Sequence, residues 1–197
     1  MTGEDVAGRF ERLGVLRRGH FRLSSGRHSD TYLQCALALQ HPHVALELGE
    51  ALAERVRDRA PDVVASPAVG GILAGFAVAA ALGRRFVFAE RAGGPGMALR
   101  RGQAVARGER VLVVEDVVTT GGSAREVAAL CAGRGAAVVG IAALVDRSGG
   151  LPDHERPAQP VTALLAVAAG AWAPSQCPLC ARGLPVESPG SRPRDGR

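Results

Sequence analysis

The 197 residues carry a formal net charge of +5, with 47% hydrophobic but only 4% aromatic side chains. That length suits one domain with a proper core, and the composition excludes a disordered chain: the core must be built mainly from Ala, Val and Leu, as in a parallel sheet covered by helices. The charge fits a polyanionic partner, nucleic acid or phosphorylated metabolite, without separating the two.

All 24 basic residues are Arg. Guanidinium groups bind phosphate oxygens through a planar fork but do not readily donate a proton or form a Schiff base. No N-terminal apolar stretch resembles a signal peptide, and the longest apolar runs, such as Val161 to Ala173, are too short to span a bilayer. A soluble, cytoplasmic protein is expected. Cys35, Cys131, Cys177 and Cys180 are too few and too scattered for a disulfide framework and read as reduced thiols.

In chain order, Val6, Phe10, Leu13 and Leu16 recur at helical spacing, which predicts a helix from Glu4 to about Leu16 and an extended segment at Gly19 to Phe21. Residues Ser24 to Asp30 read as a polar turn, and Thr31 to Cys35 alternates like a strand, giving a hairpin. Pro42 opens a helix to about Arg59. Short apolar strands then alternate with Ala-rich helices: Val63 to Ala65, Ile72 to Leu82, Phe86 to Ala89, Arg110 to Glu115, Gly122 to Arg134, Ala137 to Val145. The rhythm predicts a doubly wound α/β sheet. Residues 91–108, rich in Gly and Arg, are expected to be a mobile loop, either a lid or a floppy connection. Residues 188–197 are expected to be a disordered tail beyond a single domain of residues 1–187.

The most informative stretch is Val111-Leu112-Val113-Val114-Glu115-Asp116-Val117-Val118-Thr119-Thr120-Gly121-Gly122-Ser123. An apolar strand ends in two acids and a Thr/Gly/Ser turn, and a helix follows directly. The turn offers backbone N–H groups, hydroxyls and a helix N-terminus to a phosphate. Glu115 and Asp116 can accept hydrogen bonds from two adjacent sugar hydroxyls, and one of them can face a Mg²⁺ held otherwise by ligand oxygens and water. Taken singly, these residues would equally serve an ordinary capped turn. Together they resemble the phosphoribosyl pyrophosphate (PRPP) signature of type I phosphoribosyltransferases.

The resemblance extends through GHFRLSSGRHSDTYLQ, SPAVGGILAG and ALVDRSGG, which occur in the order found in orotate phosphoribosyltransferases. It implies a type I phosphoribosyltransferase fold: a doubly wound parallel sheet with helices on both faces and a helix/hairpin hood over residues 1–40. By resemblance, residues 115–123 with Gly70 and Gly71 bind PRPP, and Thr119 and Arg147 contact orotate. A guanidinium suits the orotate carboxylate; outside the family context Arg147 would read as an exposed loop residue. Gly70 and Gly71 would let amides approach the diphosphate, although they could simply pack a helix, and many members carry Lys near Gly70.

The same resemblance makes residues 91–108 the lid that reaches into a neighbouring subunit's site, implying a homodimer. Family lids commonly carry Lys and His, whereas this segment offers Arg91, Arg100 and Arg101 and no His. Arg91 takes the place of a family Lys and joins Glu115 and Asp116 as a catalytic candidate. The implied reaction is Mg²⁺-dependent displacement of pyrophosphate from PRPP by a ring nitrogen of orotate, in pyrimidine (UMP) biosynthesis, with no general base assigned and the metal held mainly through PRPP.

Cys177-Pro-Leu-Cys180 has metal-knuckle spacing. A Zn²⁺ site needs four ligands, and this pair reaches four only by meeting a dimer mate or recruiting distant His; otherwise it is two packed thiols. His28 could touch substrate or lie at the surface, and Trp172 suits core or interface. Two rivals remain: a phosphoribosyltransferase for another base, and a non-catalytic PRPP-sensing regulator that binds RNA. The arginines are scattered without interleaved aromatics, so neither nucleic acid nor membrane is expected as a partner.

Overall fold

The computed structural model describes residues 1–189 except residues 24, 92, 94–95 and 151–159. The tail expected at 188–197 therefore lies outside the described residues from Gly190 onward. Helix α1 (Gly3–Arg12) starts on a capping box in which the Thr2 and Asp5 side chains and backbones satisfy one another. It stops four residues before Leu16. Gly14 takes a positive φ of 70°, and Val15 turns its N–H back to the Phe10 carbonyl at 2.8 Å, so Leu16 already belongs to a strand.

Strand β1 (Leu16–Arg22) pairs antiparallel with β2 (His28–Leu33), forming a two-stranded hood. The second strand begins inside the segment expected to be a turn, because His28 and Ser29 are buried against other parts of the chain. After α2 (Ala36–Leu39), helix α3 (Pro42–Glu54) begins with Pro42 in its first turn and ends short of the expected Arg59, which falls in a separate 3₁₀ turn, Arg57–Arg59.

The main sheet follows: β3 (Val63–Pro67), α4 (Gly71–Leu82), β4 (Arg85–Arg91), β5 (Met97–Leu99), β6 (Arg110–Val118), α5 (Gly122–Gly133), β7 (Ala137–Asp146) and β8 (Val161–Ala166). Its strand order is β5-β4-β3-β6-β7-β8, parallel except for β5. Alternate residues of β6 face opposite sides. Leu112 and Val114 join Val6, Leu48, Leu52 and Val78 in one core, while Val111 and Val113 join Ala124, Val127 and Cys131 in the other. Helices thus cover both faces, as expected for the doubly wound class.

The segment expected to be a loop throughout residues 91–108 contains β5, which folds back on the end of β4 with Arg91 opposite Met97 and Ala89 opposite Leu99. No described helix is long and apolar enough to cross a membrane. The last described residues, including α6 (Pro178–Ala181), return to the hood: Arg22 and His20 exchange backbone hydrogen bonds with Glu187, and His28 exchanges two with Trp172, all at 2.8–2.9 Å.

Candidate active site

The chain moves from β3 outward to β4 and then returns to place β6 on the other side of β3. Such a reversal leaves a crevice at the carboxyl ends of the two strands, where open α/β sheets bind ligands. The β3–β6 ladder ends at Ala65 and Val113, so Ser66, Pro67 and the residues from Val114 onward border that crevice. Glu115 and Asp116 lie within β6, not at its end as the sequence suggested, because pairing with β7 continues to Val118 opposite Asp146.

Both acids are half-buried. Burial foremost, and the neighbouring charge of Asp116 next, push the Glu115 carboxyl up to about 7. Burial also raises Asp116, opposed by the Val117 N–H donating to its carboxylate at 2.9 Å. The pair is thus short of positive charge and of donors, a suitable state for a site that receives hydroxyls or a cation.

Beyond β6, Thr119 is half-buried and Thr120 exposed, and the chain turns at Gly121 with φ 71° before α5 begins at Gly122 and Ser123. That left-handed conformation favours Gly. No side chain caps the helix at Gly121, so its first N–H groups remain available to an anion. Beside Asp116 is the loop from Ser66 to Gly70, with a cis peptide between Ala68 and Val69, leading into α4 at Gly71. A Cβ at Gly70 would sit 2.9 Å from Asp116 Oδ1, so this loop touches β6 at the acid. The structure therefore brings together Gly70, Gly71, Glu115, Asp116 and the turn 117–123.

Arg147 follows β7, and its N–H donates to the Val118 carbonyl at 2.8 Å, beside Thr119. It is not an exposed loop residue: only 8% of its surface is accessible. The guanidinium Nη2 donates to Ser29 Oγ of the hood at 2.9 Å, while the buried Nε has no acceptor among the described residues. Desolvation lowers its pKa, the charge of Asp30 opposing this. Ser29, missed in the sequence, sits beside His28; 118 residues separate it from Arg147, so no local pattern could reveal the pair. His28 itself contacts His20 at 2.9 Å. Trp172 is half-buried against the hood, consistent with the expected packing role.

The three arginines of residues 91–108 singled out by the sequence are turned to acids on their own chain. Arg91 pairs with Glu126 of α5 through two contacts at 2.5 and 3.0 Å, and Arg101 and Arg100 approach Glu90 at 3.3 and 3.9 Å. Arg91 is therefore tied to the helix that follows the signature turn and is not assembled with Glu115 and Asp116. Ala92, Gly94 and Pro95 of this segment lie outside the described residues.

This crevice and sheet define a phosphoribosyl-transferring class of protein: the family model for the phosphoribosyl transferase domain matches residues 38–169. The orotate phosphoribosyltransferase of Pelotomaculum thermopropionicum is 48% identical over 192 residues, covering 98% of this chain and 99% of that relative. The enzyme of the same name from Chlorobium phaeobacteroides is 46% identical over 186 residues, covering 93% of each chain. Among solved structures, the orotate phosphoribosyltransferase of Mycobacterium tuberculosis in complex with 5-phospho-alpha-D-ribosyl 1-diphosphate superimposes with a TM-score of 0.63 at 28% identity, covering 83% of this chain and 95% of that one. The chain belongs to the orotate phosphoribosyltransferase family.

An acid whose folded-state pKa lies above its ordinary value adds stability while protonated and loses that contribution as pH rises through the folded value. For Glu115 this window runs from 4.5 to about 7. In ligand-free protein, Glu115→Gln removes the buried charge and is expected to be more stable than wild type at pH 8 by up to roughly 3 kcal/mol, the two converging toward about pH 5. Paired denaturation curves at the two pH values measure this; equal stabilities at pH 8 would contradict the assigned burial of charge.

Proposed function

We propose that this protein transfers the phosphoribosyl group of PRPP to orotate, forming orotidine 5′-monophosphate and pyrophosphate in pyrimidine biosynthesis. The observation that carries the choice of base is Arg147: a buried guanidinium with an unpartnered Nε, placed beside Thr119 and under the hood. A buried cation without a full set of acceptors favours a ligand carboxylate, which orotate supplies and an uncharged base does not.

The 5′-phosphate is assigned to the turn 117–123, where the uncapped start of α5 gives N–H donors. Glu115 and Asp116 hold the two ribose hydroxyls as acceptors, and the diphosphate lies against Gly70 and Gly71 at the start of α4. Nitrogen attack at the anomeric carbon forms the C–N bond as the C–O bond to pyrophosphate breaks, the electron pair leaving with the pyrophosphate oxygen and the nitrogen's proton passing to pyrophosphate or water. The protein's contribution is positioning and charge stabilisation, with no general base.

The donor set suits Mg²⁺: two adjacent carboxylates whose ionisation is held back by burial are hard oxygen donors that a cation would bring to full charge. Bound mainly to PRPP, the ion would neutralise charge on the leaving diphosphate. Arg91 is assigned a similar role only after it leaves Glu126, so the reading includes a rearrangement of residues 91–108 over the ligand.

Helix α4 supports the proposed homodimer. It is apolar all round, and Leu73, Phe76 and Ala80 form an exposed stripe at helical spacing, with Leu73 and Phe76 at 49% and 56% exposure. A helix of that kind is ordinarily covered on every side. In this reading residues 1–187 act as one cytoplasmic, soluble domain whose lid is shared between subunits. Arg17, Arg57, Arg85 and Arg91 each face a glutamate, which disfavours a nucleic-acid face.

An absorbance assay with PRPP, Mg²⁺ and orotate beside a panel of other bases tests the proposal. Wild-type protein is expected to consume orotate alone, and the Glu115→Ala/Asp116→Ala double variant to lose activity by at least about 10³-fold; turnover of another base, or of none, would overturn it. Arg147→Ala is expected to raise the KM for orotate by about 10²-fold, while PRPP affinity measured by calorimetry changes less than about threefold. Phe76→Arg is expected to shift the protein from dimer to monomer by light scattering; an unchanged mass in a folded variant would remove α4 from the interface.

A further inference from the structure

His20, His28, Cys177 and Cys180 come from opposite ends of the chain, yet their ligating atoms all lie within 4.8 Å of one another. His28 sits opposite Arg22 in the hairpin, and His20 lies two positions before Arg22, at the register shift between Arg18 and Phe21 that interrupts the regular alternation; both imidazoles are buried together there. The rings meet edge to face, with His20 Nε2 and His28 Nδ1 2.9 Å apart. Cys177 Sγ is 3.5 Å from His20 Nε2, and Cys180 Sγ is 3.7 Å from His20 Nε2 and 3.2 Å from His28 Nδ1.

A tetrahedral Zn²⁺ with ordinary Zn–N and Zn–S bonds separates its ligand atoms by about 3.3–3.8 Å. Of the four measured edges, 3.5 and 3.7 Å fall in that range, while the 3.2 Å sulfur–nitrogen and 2.9 Å nitrogen–nitrogen edges are shorter, so the donors must part by a few tenths of an ångström to seat the ion. Two sulfurs and two nitrogens in this arrangement form a closed Cys₂His₂ donor set, with no position left for a substrate or water. Three of the four residues are buried, and Cys180 forms the exposed side.

The tautomer of His20 adds an independent argument. Its Nδ1 lies 2.9 Å from the Leu184 carbonyl, which can only accept, so Nδ1 carries the proton and Nε2 turns a bare lone pair toward the cluster. That backbone partner is the outer-shell contact that orients a metal-binding imidazole. The Cys-x-x-Cys spacing is supplied by the turn that enters α6, where the Ala181 N–H bonds back to the Cys177 carbonyl at 3.1 Å.

We propose that His20, His28, Cys177 and Cys180 bind one structural Zn²⁺ that fastens the hood hairpin to the C-terminal segment. The missing second pair of the Cys-Pro-Leu-Cys knuckle is thus found in the histidines of the hairpin, within a single chain. Both cysteines must lose their protons on binding, so uptake releases protons and weakens as pH falls.

The position of the site gives it a consequence for substrate binding, which rests on the orotate reading above. His28 is followed by Ser29, the hydroxyl that accepts from Arg147. Anchoring His28 therefore fixes the strand that holds Arg147 toward the base, and these four residues are positioning groups, not catalytic ones.

The test uses untagged full-length protein purified without chelators. Elemental analysis is expected to find about one Zn²⁺ per chain, and replacement by Co²⁺ to give the visible bands of a tetrahedral thiolate site. In Cys177→Ser/Cys180→Ser the metal should be lost, with the KM for orotate raised by about tenfold or more and kcat little changed. His20→Cys offers a check that does not remove a ligand: it should retain the metal and shift the cobalt spectrum. A metal-free wild type that neither competes with a micromolar zinc dye nor develops the cobalt bands would overturn the site. Because metal content is read without catalysis, that failure is distinct from failure of the orotate reading, which would leave the zinc in place and the base unconsumed.

Discussion

Everything in the crevice depends on where β3 and β6 stop pairing. The two strands share a ladder only from Val63 opposite Val111 to Ala65 opposite Val113, while β6 continues along β7 to Val118. One edge of β6 is thereby released while the other stays anchored, and Glu115 and Asp116 are held rigidly in a strand with the opening at their side. Acids on a loop would escape to water. Here the sheet keeps them partly desolvated, and the raised pKa of Glu115 is the electrostatic record of that constraint. The destabilisation is local and is relieved when donors or a cation arrive.

The same constraint explains the close contact between β6 and the loop that precedes α4. Gly70 lies against the Asp116 carboxylate, so a side chain at this position would compete with the acid for space. Members of the family that carry Lys near this position would bring a cation to the acid. In this chain Gly70 brings none to the acid, and Arg91 is paired with Glu126 instead. The absence of Lys thus changes how charge is delivered more than how much the chain contains.

What was legible in the sequence follows from the range over which each feature is encoded. The strand-acid-turn-helix signature is contiguous, so its residues and the doubly wound class could be read directly. The end of α1 was misplaced because Leu16 continues the apolar spacing, whereas the turn at Gly14 and the Val15 hydrogen bond to Phe10 stop the helix. The extent of β6 was underestimated because paired acids look like a strand end; only the ladder to β7 carries the strand past them. Arg147 could be tied to a carboxylate through family resemblance, but its burial depends on Ser29, which lies 118 residues away.

The hood makes the same point more strongly. As two short antiparallel strands it has little core of its own, and a hairpin alone is marginally stable in water. Its order comes from the other end of the chain: backbone bonds to Trp172 and Glu187, the Leu184 carbonyl on His20, and the two thiols that approach the imidazoles. The strand that carries Ser29 is consequently held by the C-terminal segment. The hood and the end of β6 have separate supports, joined where the Arg147 N–H bonds to Val118 and its guanidinium bonds to Ser29. A change in the C-terminal segment should therefore be felt first at Ser29 and the Arg147 side chain, while the turn at Gly121 is carried by β6 and its ladder to β7.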